Sequence, residues 1–215
     1  MLSNNSRHKS LNLRSRARVA AFGLIAGLVS SVAISGLMLM VEKVTSVPIG
    51  AFYLVLMSAI THSQVYSLNM IVSGLLLHLV AGSLIGLAMA VPFIVNNDNN
   101  KGRNSLGTII NKYAPLYGLG FGFALWSLLF IPITFWIVLP SLNTLEHRTI
   151  IQQAPTGTVA AIAPGDLLAM QNRIIGGALV FNMFYGLLVA IIIKSLYSDY
   201  LRKKVPLRDT ITPSS

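Results

Sequence analysis

Four long apolar runs, at residues 19–41, 69–95, 113–139 and 174–197, alternate with stretches rich in polar and charged residues. Each run holds 23 residues or more, and about 20 apolar residues rising 1.5 Å apiece cross a hydrocarbon core about 30 Å thick. Inside lipid the backbone can satisfy its hydrogen bonds only within helices or a closed barrel, and runs this long without strict alternation read as helices. The pattern therefore predicts an all-α polytopic membrane protein with four transmembrane helices. A basic arm (1–18) precedes the membrane domain (19–197), and a basic tail (198–215) follows it.

Two further segments stand out between the runs. Residues 48–60, PIGAFYLVLMSAI, are apolar but would make a helix only about 20 Å long, which predicts an interfacial or re-entrant segment rather than a fifth span. The loop from Pro140 to Asn172 carries Pro155, Gly157, Pro164 and Gly165, and reads either as an ordered cap or as flexible chain. The middle loop contains NNDNNKGRNS, a polar turn too short to fold alone.

Charge sets the threading. Of 215 residues, 54% are apolar and only 10% charged, against about 25% in soluble domains, and the mean hydropathy is +0.70. The net charge of +10 is concentrated at one side of the predicted membrane. Arg7, Lys9, Arg14, Arg16 and Arg18 lie in the arm, Lys101, Arg103 and Lys112 in the middle loop, and Lys194, Arg202, Lys203, Lys204 and Arg208 at the carboxy end. Only Lys43, Arg148 and Arg173 fall in the other two loops. This bias places both termini and the middle loop in the cytoplasm and the chain in the cell membrane. It also accounts for the basic residues without nucleic acid as a partner. No acid precedes Glu42, but residues 19–41 are long enough to span, so a retained first helix is expected rather than a cleaved signal. With no cysteine there is no disulfide, thiol nucleophile or thiolate metal site.

Small residues mark the faces on which helices approach in lipid. Gly74, His78, Gly82, Gly86 and Ala90 share a face of the second helix, and Ala178, Asn182, Gly186 and Ala190 one of the fourth. Gly23, Gly27 and Ser31 do the same in the first, and Gly118 and Gly122 in the third. Setting Gly82 against Gly186 aligns His78 with Asn182, and Gly23 and Gly27 match Gly118 and Gly122. Two readings stay open: a 2+2 duplication with parallel halves, or the ordinary similarity of glycine-containing apolar helices. In the third helix Pro132 predicts a kink that frees the carbonyl near Leu128, Trp136 an interfacial anchor, and Trp126 plain packing.

Among His, Lys, Arg, Asp and Glu, His78 alone lies inside a predicted span away from its ends, and such residues face the protein interior and mark functional hypotheses. Asn182 sits at a similar depth. The two form a candidate intramembrane polar pair, which either fixes helix register or lines a path for a proton or solute. On the outer side Glu42, His62, His147 and Asp166 are candidate metal ligands by residue type, but no ligand pair at helical spacing supports them, and solvated loop charge is the plainer reading. No nucleophile elbow, phosphate loop or dinucleotide fingerprint occurs, so neither an enzyme nor a cofactor is expected.

HLVAGSLIG, from His78 to Gly86, and YGLGFGFALW, from Tyr117 to Trp126, resemble a scattered group of small, uncharacterised prokaryotic multi-pass membrane proteins that pair an HxxxGxxxG helix with a glycine- and aromatic-rich one. The likeness covers about residues 74–140 and implies a four-helix membrane fold without implying an activity. Beside the bilayer itself, the first functional expectation is a non-enzymatic accessory or assembly subunit packing through its glycine faces against a second copy or a larger complex. The alternative is a small homo-oligomeric transporter or channel with His78 and Asn182 lining the path. A membrane metalloenzyme using the outer His and acidic residues comes third.

Overall fold

A computed structural model describes residues 3–45, 54, 56–57, 60–61, 68–98, 112–141, 150–153, 159–162 and 169–204. Four helices dominate: α1 (Ser3–Thr45), α2 (Leu68–Asp98), α3 (Ala114–Ser141) and α4 (Gln171–Lys204). Each contains a stretch long and apolar enough to cross a membrane, so the chain is an all-α membrane protein of four spans.

Helix ends follow local chemistry. No Pro or Gly interrupts the chain between Ser3 and Phe22, so the basic arm is no separate segment but the amino-terminal part of α1. At the other terminus α4 runs to Lys204, two residues short of Pro206, whose ring disfavours helical backbone at Val205. Pro115 lies in the first turn of α3, where its missing N–H costs nothing. Between α1 and α2, Leu54, Leu56, Met57, Ile60 and Thr61 are helical, and the Thr61 hydroxyl donates to the Met57 carbonyl at 2.8 Å. Within the loop whose order the sequence left open, β1 (Ile150–Gln153) pairs antiparallel with β2 (Val159–Ile162), Ile150 opposite Ile162 and Gln153 opposite Val159. Isoleucine and valine favour the strands, while Pro155 and Gly157 fall between them.

Glycines build two tight helix pairs. α1 packs on α2 and α3 on α4, and α1 against α4 joins the pairs. A Cβ on Gly23 would lie 2.6 Å from the Gly86 carbonyl oxygen and 2.7 Å from Ala90 Cβ. One on Gly27 would overlap the Gly82 carbonyl. The second pair repeats the arrangement, Gly118 meeting Gly186 and Ala190, and Gly122 the Asn182 carbonyl. Backbones this close gain dispersion contacts that larger side chains would prevent.

These contacts support the duplication and correct its register. Gly86 corresponds to Gly186, Ala90 to Ala190 and Gly82 to Asn182, one helical turn away from the alignment of Gly82 with Gly186. In the observed register Leu79, Val80, Gly86, Leu87 and Ala90 recur as Leu179, Val180, Gly186, Leu187 and Ala190, and Phe22-Gly23-Leu24 as Tyr117-Gly118-Leu119. Glycine-to-glycine matching fails because Asn182 contributes its backbone, not its side chain, to the close approach.

The core is concentrated towards the end that carries the basic residues. Val19, Met89, Phe93, Val189 and Ile193 are fully buried there, and Phe93 meets Tyr197 edge-on at 5.5 Å between ring centroids. Phe22 meets Tyr200 likewise at 6.1 Å. Outward-facing positions such as Leu24, Val32, Leu76, Val80, Leu128 and Phe184 are exposed, as a lipid-facing girdle requires. Trp136 is 79% exposed near the opposite end.

Candidate functional site

The opposite half of the bundle is hollow. A cavity of about 280 Å³ lies between the helix pairs, with all four helices and the helical residues Leu56 and Met57 contributing to its wall. Ser31, Ile34 and Met38 come from α1; Gly74, Leu77, His78, Ala81, Gly82 and Ile85 from α2. α3 supplies Leu125, Leu129, Phe130 and Ile133, and α4 supplies Ile174, Ala178, Phe181, Asn182 and Tyr185. Among the described residues no Lys, Arg, Asp or Glu lines it.

Both members of the predicted polar pair face this space, but each is engaged by a helix backbone. The His78 imidazole donates to the backbone carbonyl of Ser31 across the α1–α2 contact. The Asn182 amide donates to the Ala178 carbonyl of its own helix at 2.8 Å. What the pair shares is the cavity.

In the structural register Ser31 matches Trp126 and His78 matches Ala178. The Trp126 indole N–H donates to the Ile175 carbonyl at 3.1 Å, across the α3–α4 contact. Each pair is thus closed by one ring N–H on a facing carbonyl. In the first pair the ring stands on the second helix and meets the Ser31 carbonyl; in the second it stands on the first helix and meets the Ile175 carbonyl. Trp126 is more than packing.

Tyrosine hydroxyls link one pair to the other. Tyr185 donates to the Gly82 carbonyl at 2.6 Å, forming the floor of the cavity, and Ser31 Oγ lies alongside the same phenol without completing a hydrogen bond. Nearer the basic end Tyr117 donates to the Met89 carbonyl at 3.2 Å, and the Ser15 and Tyr200 hydroxyls are 2.7 Å apart. Pro92, one turn on, has no N–H for the Ala88 carbonyl, which adjoins Met89 in the chain. Pro92 lies near a helix end, and nothing local marks a Tyr hydroxyl as a cross-helix donor.

Pro132 shapes the α3 wall. The backbone does not break there but widens, with π-helical turns at Trp126–Phe130 and Thr134–Val138 on either side. The Ile131 N–H bonds the Trp126 carbonyl, and the buried Thr134 hydroxyl donates to the Phe130 carbonyl at 2.6 Å. The expected loss of one carbonyl partner is absorbed by shifting the ladder, a common accommodation of proline in spanning helices.

The glycine faces are spent inside the chain. Gly23, Gly27, Gly82, Gly86, Gly118, Gly122 and Gly186 all meet the partner helix of their own pair, and Gly74 meets Leu54 and Met57 at ordinary van der Waals distance. Of the candidate metal ligands, Glu42 lies near the end of α1, while His62, His147 and Asp166 lie outside the described residues. Among the described residues no group of three His or acidic side chains is assembled. No protein-family model matches the chain, and no curated protein or solved structure matches it.

Proposed function

We propose that the protein is a non-enzymatic membrane carrier: two rigid helix pairs that hold a small molecule between them, with His78 and Asn182 on the wall of the path. The observation that carries this reading is the cavity between the pairs, hollow in one half of the bundle and closed in the other by packed side chains and tyrosine hydrogen bonds. Repeats that rock against each other around a central site are a recurring transport design. Within a pair, backbones touch through glycine and resist sliding; between pairs, the Tyr117 and Tyr185 hydroxyls make contacts that can be exchanged. The closed half favours a carrier over an open channel. An accessory subunit docking through the glycine stripes loses its support, because those stripes face inward.

In this reading the basic end is cytoplasmic and the cavity opens toward the outer side. Four spans are few for a pathway, so the working unit is a homo-oligomer. The test uses the natural absence of cysteine. Spin labels on Val95→Cys and Leu116→Cys, exposed positions on α2 and α3 near the basic end, report the separation of the pairs in lipid nanodiscs. A second, longer distance population is expected, growing severalfold when Tyr117→Phe and Tyr185→Phe are combined. One unchanging population in both proteins would rule out rocking.

A further inference from the structure

The chemistry of the cavity wall specifies the kind of molecule it accepts; this inference rests on the carrier reading and narrows it. We infer that the occupant is a neutral lipophile with one hydrogen-bonding group, seated with that group at the floor and its hydrocarbon body towards the opposite end. The polar wall residues cluster at one level. Gly82 faces Gly27, Ser31 lies over Gly82, and Tyr185 reaches the Gly82 carbonyl, while His78 and Asn182 sit within a turn of this point. Beyond it the wall is hydrocarbon and aromatic, including Met38, Leu77, Leu129, Phe130 and Ile133.

Charge and size narrow the class further. An ion moved to this depth would forfeit hydration with no opposite charge on the described wall to replace it. A neutral hydroxyl has partners available, because the Tyr185 phenol oxygen and the Asn182 carboxamide oxygen can each accept a hydrogen bond, whereas Ser31 is wholly buried behind them. An apolar cavity of about 150 Å³ holds benzene, so 280 Å³ suits two fused rings or a chain of comparable bulk.

The experiment uses the full chain in nanodiscs with 2-naphthol, naphthalene and 2-naphthalenesulfonate as probes. Binding is read by equilibrium dialysis against nanodiscs containing Ala81→Phe or Ile133→Trp protein, two independent fillings of the cavity that also correct for partition into lipid. Saturable binding of one 2-naphthol per chain is expected, at least tenfold weaker in both filled variants and severalfold weaker for naphthalene. Preference for the sulfonate, still abolished by filling, would overturn the neutral class while leaving the site in place. If filling changes the binding of no probe, the inference fails, and the carrier reading then depends on the spin-label distances alone. Circular dichroism and melting of both variants establish that they are folded, and either one suffices for the comparison.

Discussion

At the scale of single residues, the glycines of the two pairs divide into those that cannot bear a methyl group and those that can. Gly27→Ala drives a Cβ into the Gly82 carbonyl, and overpacking of this kind costs about 1–3 kcal/mol. Gly120 has no atom within 4 Å of its Cβ position, so Gly120→Ala is expected to leave stability unchanged or raise it by up to about 1 kcal/mol through helix propensity. Unfolding of both variants in mixed micelles measures the contrast, and equal effects would refute the glycine contact as the source of pairing. The sequence made the small-residue faces visible because spacing alone determines which residues share a face. It could not show what they face, since a stripe reads the same whether its partner is in the same chain or in another. His78 illustrates the same divide: its depth was legible, but the Ser31 carbonyl to which it donates is defined only by the pairing of α1 with α2.

Among the elements, α3 differs from the other three helices. Length and apolarity predicted all four spans to within a few residues at most ends, because a bilayer admits little else. The π-turns around Pro132 were not legible, since the sequence says that a donor is missing but not how the ladder reorganises. Pro132→Ala restores that donor. The variant is expected to regain regular i→i−4 bonding and slow amide exchange across Trp126–Val138, with a stability gain below the about 3 kcal/mol that proline costs in a soluble helix, because Thr134 and the wider turns already recover part of it. Unchanged exchange over that stretch would mean that the wide turns have another cause. The extended ends of α1 and α4 are a second departure. The arm and tail look like loose basic chain by composition, yet the Ser15–Tyr200 hydrogen bond and the Phe22–Tyr200 ring contact tie the helical extensions together.

For the whole molecule, the distribution of charge and the distribution of packing agree: the basic end is the packed end, and the hollow end bears the larger loops. Threading is directly testable in a chain without cysteine. Lys112→Cys is expected to react with an impermeant maleimide only after cells are opened, and Ser141→Cys in intact cells; the reverse pattern would invert the orientation. That the helices pack two by two was half legible. The duplication could be suspected from glycines, but its register required contacts, because the residue that replaces Gly82 in the second half is an asparagine used through its backbone.

The parallel sense of the halves bears on how such a chain can arise. An inverted repeat requires its single-copy forerunner to insert in both orientations, whereas two copies facing the same way require only one. A helical hairpin with its basic end fixed could form a side-by-side dimer, and a fusion through one short linker at that end would join the copies without moving either. Once joined, each copy was free to change against a fixed neighbour, which is how a ring N–H could come to stand on opposite helices in the two pairs. Cells producing residues 1–104 and 105–215 as separate chains are expected to yield a co-purifying complex, and failure of the two pieces to associate would argue against independent pairs.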